Sequence, residues 1–320
     1  NFVFDGNGSN FWISSQAQFL QLKTCTNCTV KNLHAEHFDR SHTQGTIVGY
    51  TQSGGDYYLK VQIDDGYPLP PDDPLYSFCG DGVSAGSKGR LIRKFAHVAF
   101  FNGSKIDIQP GSASYLFFNG AQALDHSQRV ATVRIPGSRN GHVSSSGLKA
   151  RISEVVSKKR RIAFSLPQSS HALREAVRFQ AKEAFNLRTF VAEAEAGFAN
   201  YSMFFIIGSA NVKIQNVGIH STIKMAVKPL ESKGLIHLDG LQLIPRGTSL
   251  LAGVSDGIHA ANNRGRTIVE NSVFKSLMDD AIHLKTSGLR VSTKHSDREF
   301  TVSQGNPQRM EWEVRAGDTL

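Results

Sequence analysis

The sequence has only 3 cysteines in 320 residues, and no long apolar run. Three thiols cannot all pair within one chain. Cys25 and Cys28 form a single C-x-x-C with no second pair after it, which argues against a zinc site. A redox role would need a thioredoxin-like context that is absent. Cys79 is left over and is expected to be a buried thiol. The longest apolar run, Met203–Ile207, is far below the roughly 20 residues of a membrane-spanning helix, so a soluble chain is expected. Helical periodicity is scarce and is convincing only over Ala172–Phe185. No P-loop, dinucleotide fingerprint or Ser-His-Asp order occurs, and no groove-reading helix or RNA-binding aromatic signature.

Hydrophobic residues make up 40% of the chain, an ordinary globular share that excludes wholesale disorder. The formal charge of +9 attracts polyanions and acidic glycans. The densest basic run, Lys158–Arg161, reads as a solvated turn between two strands spanning Leu148–Leu166. Four N-x-S/T sequons begin at Asn7, Asn27, Asn102 and Asn200, and the chain opens on Asn1 rather than Met. Together they lead to the expectation of a secreted or extracytoplasmic protein whose leader or upstream segment has been removed.

Internal repeats decide the expected fold. Val212–Ile219, Ile236–Leu243 and Thr267–Phe274 place large residues first, third and eighth, with Asn216, Gly240 and Asn271 fifth. Cys28–Ala35 shows a related pattern with Asn32 fifth. A second repeat is interleaved: Ser255-Asp-Gly-Ile-His259 recurs, twenty-four positions on, as Asp279-Asp-Ala-Ile-His283. Lys224-Met-Ala-Val-Lys228 fits the same slot thirty-one positions before the first of these, and Ile244–Gly253 reads as a loop holding the seven extra residues. Short strands at a period in the low twenties predict an all-β, right-handed parallel β-helix with inserted antiparallel β-structure. Residues 1–40 are expected to form the first coils and 41–200 a β-rich insertion with some coils. Residues 201–287 should form the coils with the acidic cluster, and 288–320 the start of a second barrel-like insertion that is cut short. The hairpin signal at Ser53–Asp56 allows a small barrel in the first insertion.

Stacked strands lie about 4.8 Å apart, so residues one period apart on successive coils become neighbours. That brings Asp256 beside Asp279 and Asp280, turned outward at a bend eased by the small Gly257 and Ala281, with His259 and His283 alongside. Three mutually repelling carboxylates imply that at least one keeps its proton near neutral pH. A glycosidase needs that pairing of a protonated acid and an ionised base, at roughly 6.5–9.5 Å for inversion or near 5 Å for retention. A lone D-G or D-D is usually a turn; repetition in register is what makes these residues candidates. Calcium is the rival use of such acids, but no D-x-D-x-D or glycine-rich nonapeptide pattern occurs, and no metal or other cofactor is expected.

Five stretches, Lys224–Val227, Gly234–Arg246, Ser255–His259, Arg264–Phe274 and Met278–His283, together resemble the β-helical α-1,3-galactosidases, glycoside hydrolase family 110. The likeness continues from Gly288–Val291 to Ala316–Leu320, and Phe4–Gly8 with Cys28–Leu33 resemble that family's first coils. The resemblance implies an exo-acting, inverting glycosidase without a metal, with Asp256, Asp279 and Asp280 catalytic and Arg246 in the substrate groove. His283 stands where that family commonly has Asn. Polygalacturonases are more distantly similar, but their Gly-His-Gly and Arg-Ile-Lys do not follow Asp280. Arg246, His259, His283 and Lys285 are expected to orient sugar hydroxyls or a carboxylate on an oligo- or polysaccharide, with no nucleic-acid partner. Two other readings stand beside hydrolysis: a non-catalytic glycan-binding β-helix, and a polysaccharide lyase acting on a uronate.

Overall fold

The computed structural model describes residues 1–13, 18–37, 42–70, 97–107, 115–117, 121–125, 127–137, 145–165, 202–286, 289–296 and 299–304. Cys79 and Ala172–Phe185 lie outside them. In chain order the elements begin with β1 (Phe2–Ile13), β2 (Leu20–Lys23) and β3 (Thr26–His37). Next come β4 (His42–Ser53), β5 (Asp56–Ile63), β6 (His97–Asn102), β7 (Lys105–Ile106), β8 (Tyr115–Phe117), β9 (Ala121–Asp125) and β10 (Val130–Ile135). A helix, α1 (Ser145–Ser157), and β11 (Arg161–Ser165) follow. The second half holds β12 (Phe204–Ile207), β13 (Ala210–Ser221), β14 (Val227–Leu230), β15 (Ile236–Leu243) and β16 (Ile258–Ala261). It ends with β17 (Thr267–Glu270), β18 (Val273–Phe274), β19 (Ile282–Lys285), β20 (Leu289–Lys294) and β21 (Phe300–Gln304).

The described chain is mostly strand, and two of its sheets are parallel. The first runs β1-β3-β13-β15-β17, with β18 also on β15; the second runs β19-β16-β14-β12-β2. Strands β12 to β17 alternate between the two sheets, whose inward residues share one core. Val212, Ile214, Val217 and Ile219 of β13 meet Phe204, Val227 and Ile258 of the opposite sheet in that core. Inward positions are apolar and outward ones polar, so one strand register sets both faces.

The registers carry the repeat. Val212 pairs with Ile236 and Ile258 with Ile282, each twenty-four positions on, while Ile236 pairs with Thr267, thirty-one on. Isolated bridges join Thr222 to Gly253 at the longer offset and Gly253 to Leu277 at the shorter, which confines the seven extra residues to the Ile244–Gly253 loop. Cys28 pairs with Val212, and Leu20 with Phe204, so the chain makes a long detour between strands that lie side by side. The fifth-place residues Asn32, Asn216, Gly240 and Asn271 all have positive φ, at 56°, 51°, 72° and 52°. Asn and Gly tolerate that left-handed bend best, and Asn216 Nδ2 donates to Asn32 Oδ1 at 3.4 Å from one turn of chain to the next.

Within the detour, β4–β11 form an antiparallel sheet in the order β7-β6-β11-β4-β5-β10-β9, with β8 on β6, which is open among the described residues. Residues 148–157, expected to be half of a hairpin, are helical instead. Leu148, Ile152 and Val155, spaced four and three apart, are fully buried against that sheet, so the period is helical despite the β-branched residues. The turn at Lys158–Arg160 and the strand after it do occur. The sheet also buttresses the second half: Ala99, Phe101 and Ala163 pack on Leu250, Leu251 and Met278. Buried Gln44 donates to Thr248 O at 2.9 Å and accepts from Leu250 N at 2.8 Å. β20 and β21 form an antiparallel hairpin.

Replacing Gly240 by Val puts a β-branched residue at φ 72°, where its Cβ would meet Asn216 Oδ1 at 2.9 Å. We expect a loss of at least about 1–2 kcal/mol, read from the urea midpoint. Asn216→Gly, which keeps the bend open to glycine, should stay within about 0.5 kcal/mol.

Candidate functional site

The bends that lead into β16 and β19 are locked to each other by the backbone. Gly257 N donates to Asp280 O at 2.8 Å and Ile258 N to Ala281 O at 3.0 Å. Gly257 is required for space rather than for backbone freedom: a Cβ there would lie 2.6 Å from Ala281 O and 2.9 Å from the Phe274 ring. The contact brings Asp256, Asp279 and Asp280 together, with one oxygen of each within 4.8 Å of the others.

Asp256 is not turned out to solvent as expected. It is 3% exposed, because His259 closes over it and shares a hydrogen bond between its Nδ1 and Asp256 Oδ2. His283 Nδ1 lies 3.6 Å from the same oxygen and 3.5 Å from Asp280 Oδ2. Each histidine thus stands three residues after its own aspartate, and the two rings are 4.5 Å apart between centroids. Asp256 Oδ1 is buried without a hydrogen-bond partner among the described residues. Asp279 and Asp280 are exposed. Partial burial first, then the negative charges of Asp256 and Asp280, raise the Asp279 pKa above the ordinary carboxylate value, against the opposing bond from Asp280 N at 3.1 Å. Of the three acids, Asp279 is the one whose pKa is raised.

Donor groups for a cation occur in two overlapping sets here, the three acids, or Asp256 with His259 and His283, and in a third set, His237, Asp239 and Glu270, on the first parallel sheet. The pairing of Asp256 with His259 and of His237 with Glu270 already occupies part of those sets.

Lys285 lies two residues beyond His283 on β19, on the same outward alternation, and pairs in register with Ala261. Arg246 is held elsewhere. Its guanidinium donates to Asn10 Oδ1 at 2.9 Å and Glu36 Oε1 at 3.3 Å and lies 5.9 Å from the centre of the Trp12 ring, so its described contacts are with β1 and β3 rather than the acids. Lys228 was not singled out from the sequence. Val227 pairs with Ile258, which sets Lys228 beside His259, and burial lowers its pKa while the ammonium stands 5.5 Å from the centre of the Phe205 ring. The signal was present: Lys228, His259 and His283 are the fifth residues of the three repeated segments.

No protein-family model matches the chain. Over 315 residues it is 24% identical to alpha-1,3-galactosidase B of Bacteroides thetaiotaomicron, an alignment that takes in 97% of this chain and 42% of that protein. The chain therefore spans about two-fifths of the length of the curated relative it matches, and its similarity is to a galactosidase-like family of glycoside hydrolases.

Proposed function

We propose that the two parallel sheets are walls of a right-handed parallel β-helix and that the chain hydrolyses a terminal glycosidic bond. The substrate is a galactoside-like or acidic glycan end. The carrying observation is the trio of carboxylates within 4.8 Å on successive turns of chain, one of them with a raised pKa. Asp279, the acid whose pKa is raised, protonates the leaving oxygen. Asp280, exposed and beside His283, accepts the proton of the attacking water. Asp256, buried with one oxygen on His259, orients that ring and repels negative charge from Asp279. An oxocarbenium-like transition state gains from this concentration of negative charge.

The reading is exo-acting and inverting, as the resemblance of the repeated segments to glycoside hydrolase family 110 implies. The three oxygens lie within 4.8 Å of one another, closer than the roughly 6.5–9.5 Å of inverting pairs. Rotation of the exposed Asp280 side chain would open that gap for a water, and the anomer first released, seen by proton NMR, distinguishes inversion from retention. Lys228 favours one second reading. An amine with a lowered pKa on the strand beside His259 is what β-elimination of a uronate needs, and an ultraviolet-absorbing unsaturated product would identify it. Secretion is proposed from the four sequons and from the Cys25–Cys28 disulfide, a bond that persists in oxidising compartments.

Asp279→Asn and Asp280→Asn should each lower kcat on an α-galactoside by about 100-fold or more with KM little changed, measured by release of free galactose. Turnover unchanged in both variants would remove the assignment. The raised pKa of Asp279 sets the alkaline limb of kcat/KM above the ordinary carboxylate range, and Asp279→Asn should abolish that limb.

The same shift has a sign for stability. Asp279 in the unfolded chain ionises near 3.8, while in the fold it holds its proton to higher pH. The native state therefore binds more protons between those values, and stability falls as pH rises through that window. Asp279→Asn should raise Tm at neutral pH and lose that advantage below the unfolded pKa, as read by thermal denaturation at both pH values.

A further inference from the structure

A second polar concavity lies on the outward face of the first parallel sheet. It is a cavity of about 480 Å³, lined among others by His34, Gln215, Gly218, Asp239, Gln242 and Asn271. Its floor is open because the row that runs across the strands from His34 to Gln242 passes through Gly218. A Cβ at Gly218 would lie 2.3 Å from His34 Nδ1, so no side chain fits there unless the histidine moves.

The walls are fixed by hydrogen bonds. The Ile244 carbonyl can only accept, so His220 Nδ1, at 2.9 Å, carries the proton and His220 Nε2 is an acceptor. His34 Nδ1, 3.0 Å from that nitrogen, must then donate, which leaves His34 Nε2 as an acceptor in the neutral ring. Across the cavity Asp239 Oδ1 accepts from Asn271 Nδ2 at 3.0 Å, and Oδ2 accepts from Gln215 Nε2 at 3.2 Å. Lys213 Nζ lies 3.3 Å from Oδ2, and the bond from Asn271 first, then that from Lys213 and its charge, hold the Asp239 carboxyl below its usual range, so it stays ionised.

We propose that this cavity binds one ring of a neutral sugar, as a non-catalytic glycan subsite separate from the acid cluster. Fixed planar amides, an ionised carboxylate with spare lone pairs and an imidazole acceptor suit hydroxyl groups that both donate and accept. The lining is too polar for an apolar ligand of this volume. A uronate or sulfate would face the Asp239 charge, and a cation would face Lys213, which leaves an uncharged polyol. The same outward face carries Trp12, 61% exposed, two residues along β1 from Asn10, the register partner of His34. An exposed indole of this kind is a platform on which a further sugar ring stacks. This subsite needs no turnover at Asp279 or Asp280.

The test is a titration of the chain with D-galactose, D-glucose and D-mannose, and with D-glucuronate as the charged comparison, followed through the backbone amide NMR signals of Gly218 and Gly240. At least one neutral hexose should shift both signals saturably, with a Kd on the order of 1 mM. Asp239→Asn and the exposed-site variant Gln242→Ala should each weaken binding at least fivefold, whereas Asp280→Asn should leave it unchanged. The proposal is overturned if no neutral hexose gives a saturable shift, or if glucuronate binds as tightly as the best of them. It is overturned equally if Asp280→Asn removes binding that Asp239→Asn and Gln242→Ala leave intact. A chain with no glycosidase activity that still binds through Asp239 and Gln242 would sink the hydrolase reading and leave this one standing.

Discussion

The backbone hydrogen bonds that tie each turn of chain to the next are the constraint on which the site depends. Gly257 N reaching Asp280 O at 2.8 Å and Ile258 N reaching Ala281 O at 3.0 Å fix the register in which Asp256 faces Asp280. Because side chains alternate along a strand, a slip of one residue would exchange inward and outward sets and drive His259 and His283 into the core. The slip is resisted on the inner side by Ile258, fully buried, and at the bend by Gly257, where Ala281 O leaves no room for a Cβ. The meeting of the three acids and the packing of the core are here one requirement, met by the same strand pairing.

That register forces charges together that water would keep apart. Asp256 is buried with one oxygen unpartnered among the described residues, and its negative charge contributes to the raised pKa of Asp279. A buried carboxylate is tolerated only when it is paired, and His259 supplies the partner. The bend also needs support from outside the repeat. Met278, the residue before Asp279, is buried against Ala99, Phe101, Leu250 and Leu251, and Gln44 joins the antiparallel sheet to the Thr248–Leu250 segment. The insertion that interrupts the parallel strands thus braces the segment that carries two of the acids.

The parts of this arrangement legible in the sequence are those the repeat encodes. The two repeat offsets, the seven extra residues at Ile244–Gly253, the left-handed bends at Asn32, Asn216, Gly240 and Asn271 and the meeting of three aspartates all follow from one periodic pattern. The pattern says which residues are neighbours, but not how deep each one lies. Asp256 and Asp280 occupy the same slot, yet one is buried and the other exposed, because a further strand, β14, covers β16 whereas β19 is the last strand of its sheet among the described residues. The same edge position leaves Ile282 and Leu284 exposed at 43% and 69% while their partners Ile258 and Ala260 are buried. Helix α1 was misread for a different reason. Its Val155-Val156 pair and basic end look strand-like locally, and only the spacing of Leu148, Ile152 and Val155 shows the buried stripe.

Arg246 shows what the excess residues in one turn of chain do. The loop that carries it leaves β15, and its partners lie on β3 (Glu36) and β1 (Asn10 and Trp12), two and three strand spacings away at about 10 and 14 Å. Arg246 lies three residues beyond Leu243, the end of β15, and its long side chain reaches toward β3 and β1, while the loop itself returns at Gly253, bridged to Thr222 and Leu277, on its way to β16. On the way, Ile244 O receives the His220 Nδ1 proton, which fixes the tautomer of the His220–His34 pair at the wall of the cavity. The loop therefore clamps four strands and sets the donor pattern of the concavity on that face, while the acids are arranged on the other sheet by spacing alone. An arginine assigned to the acidic groove by likeness is drawn instead to a carboxylate and an indole at the sheet edge, because Glu36 and Trp12 offer charge and a π face within its reach.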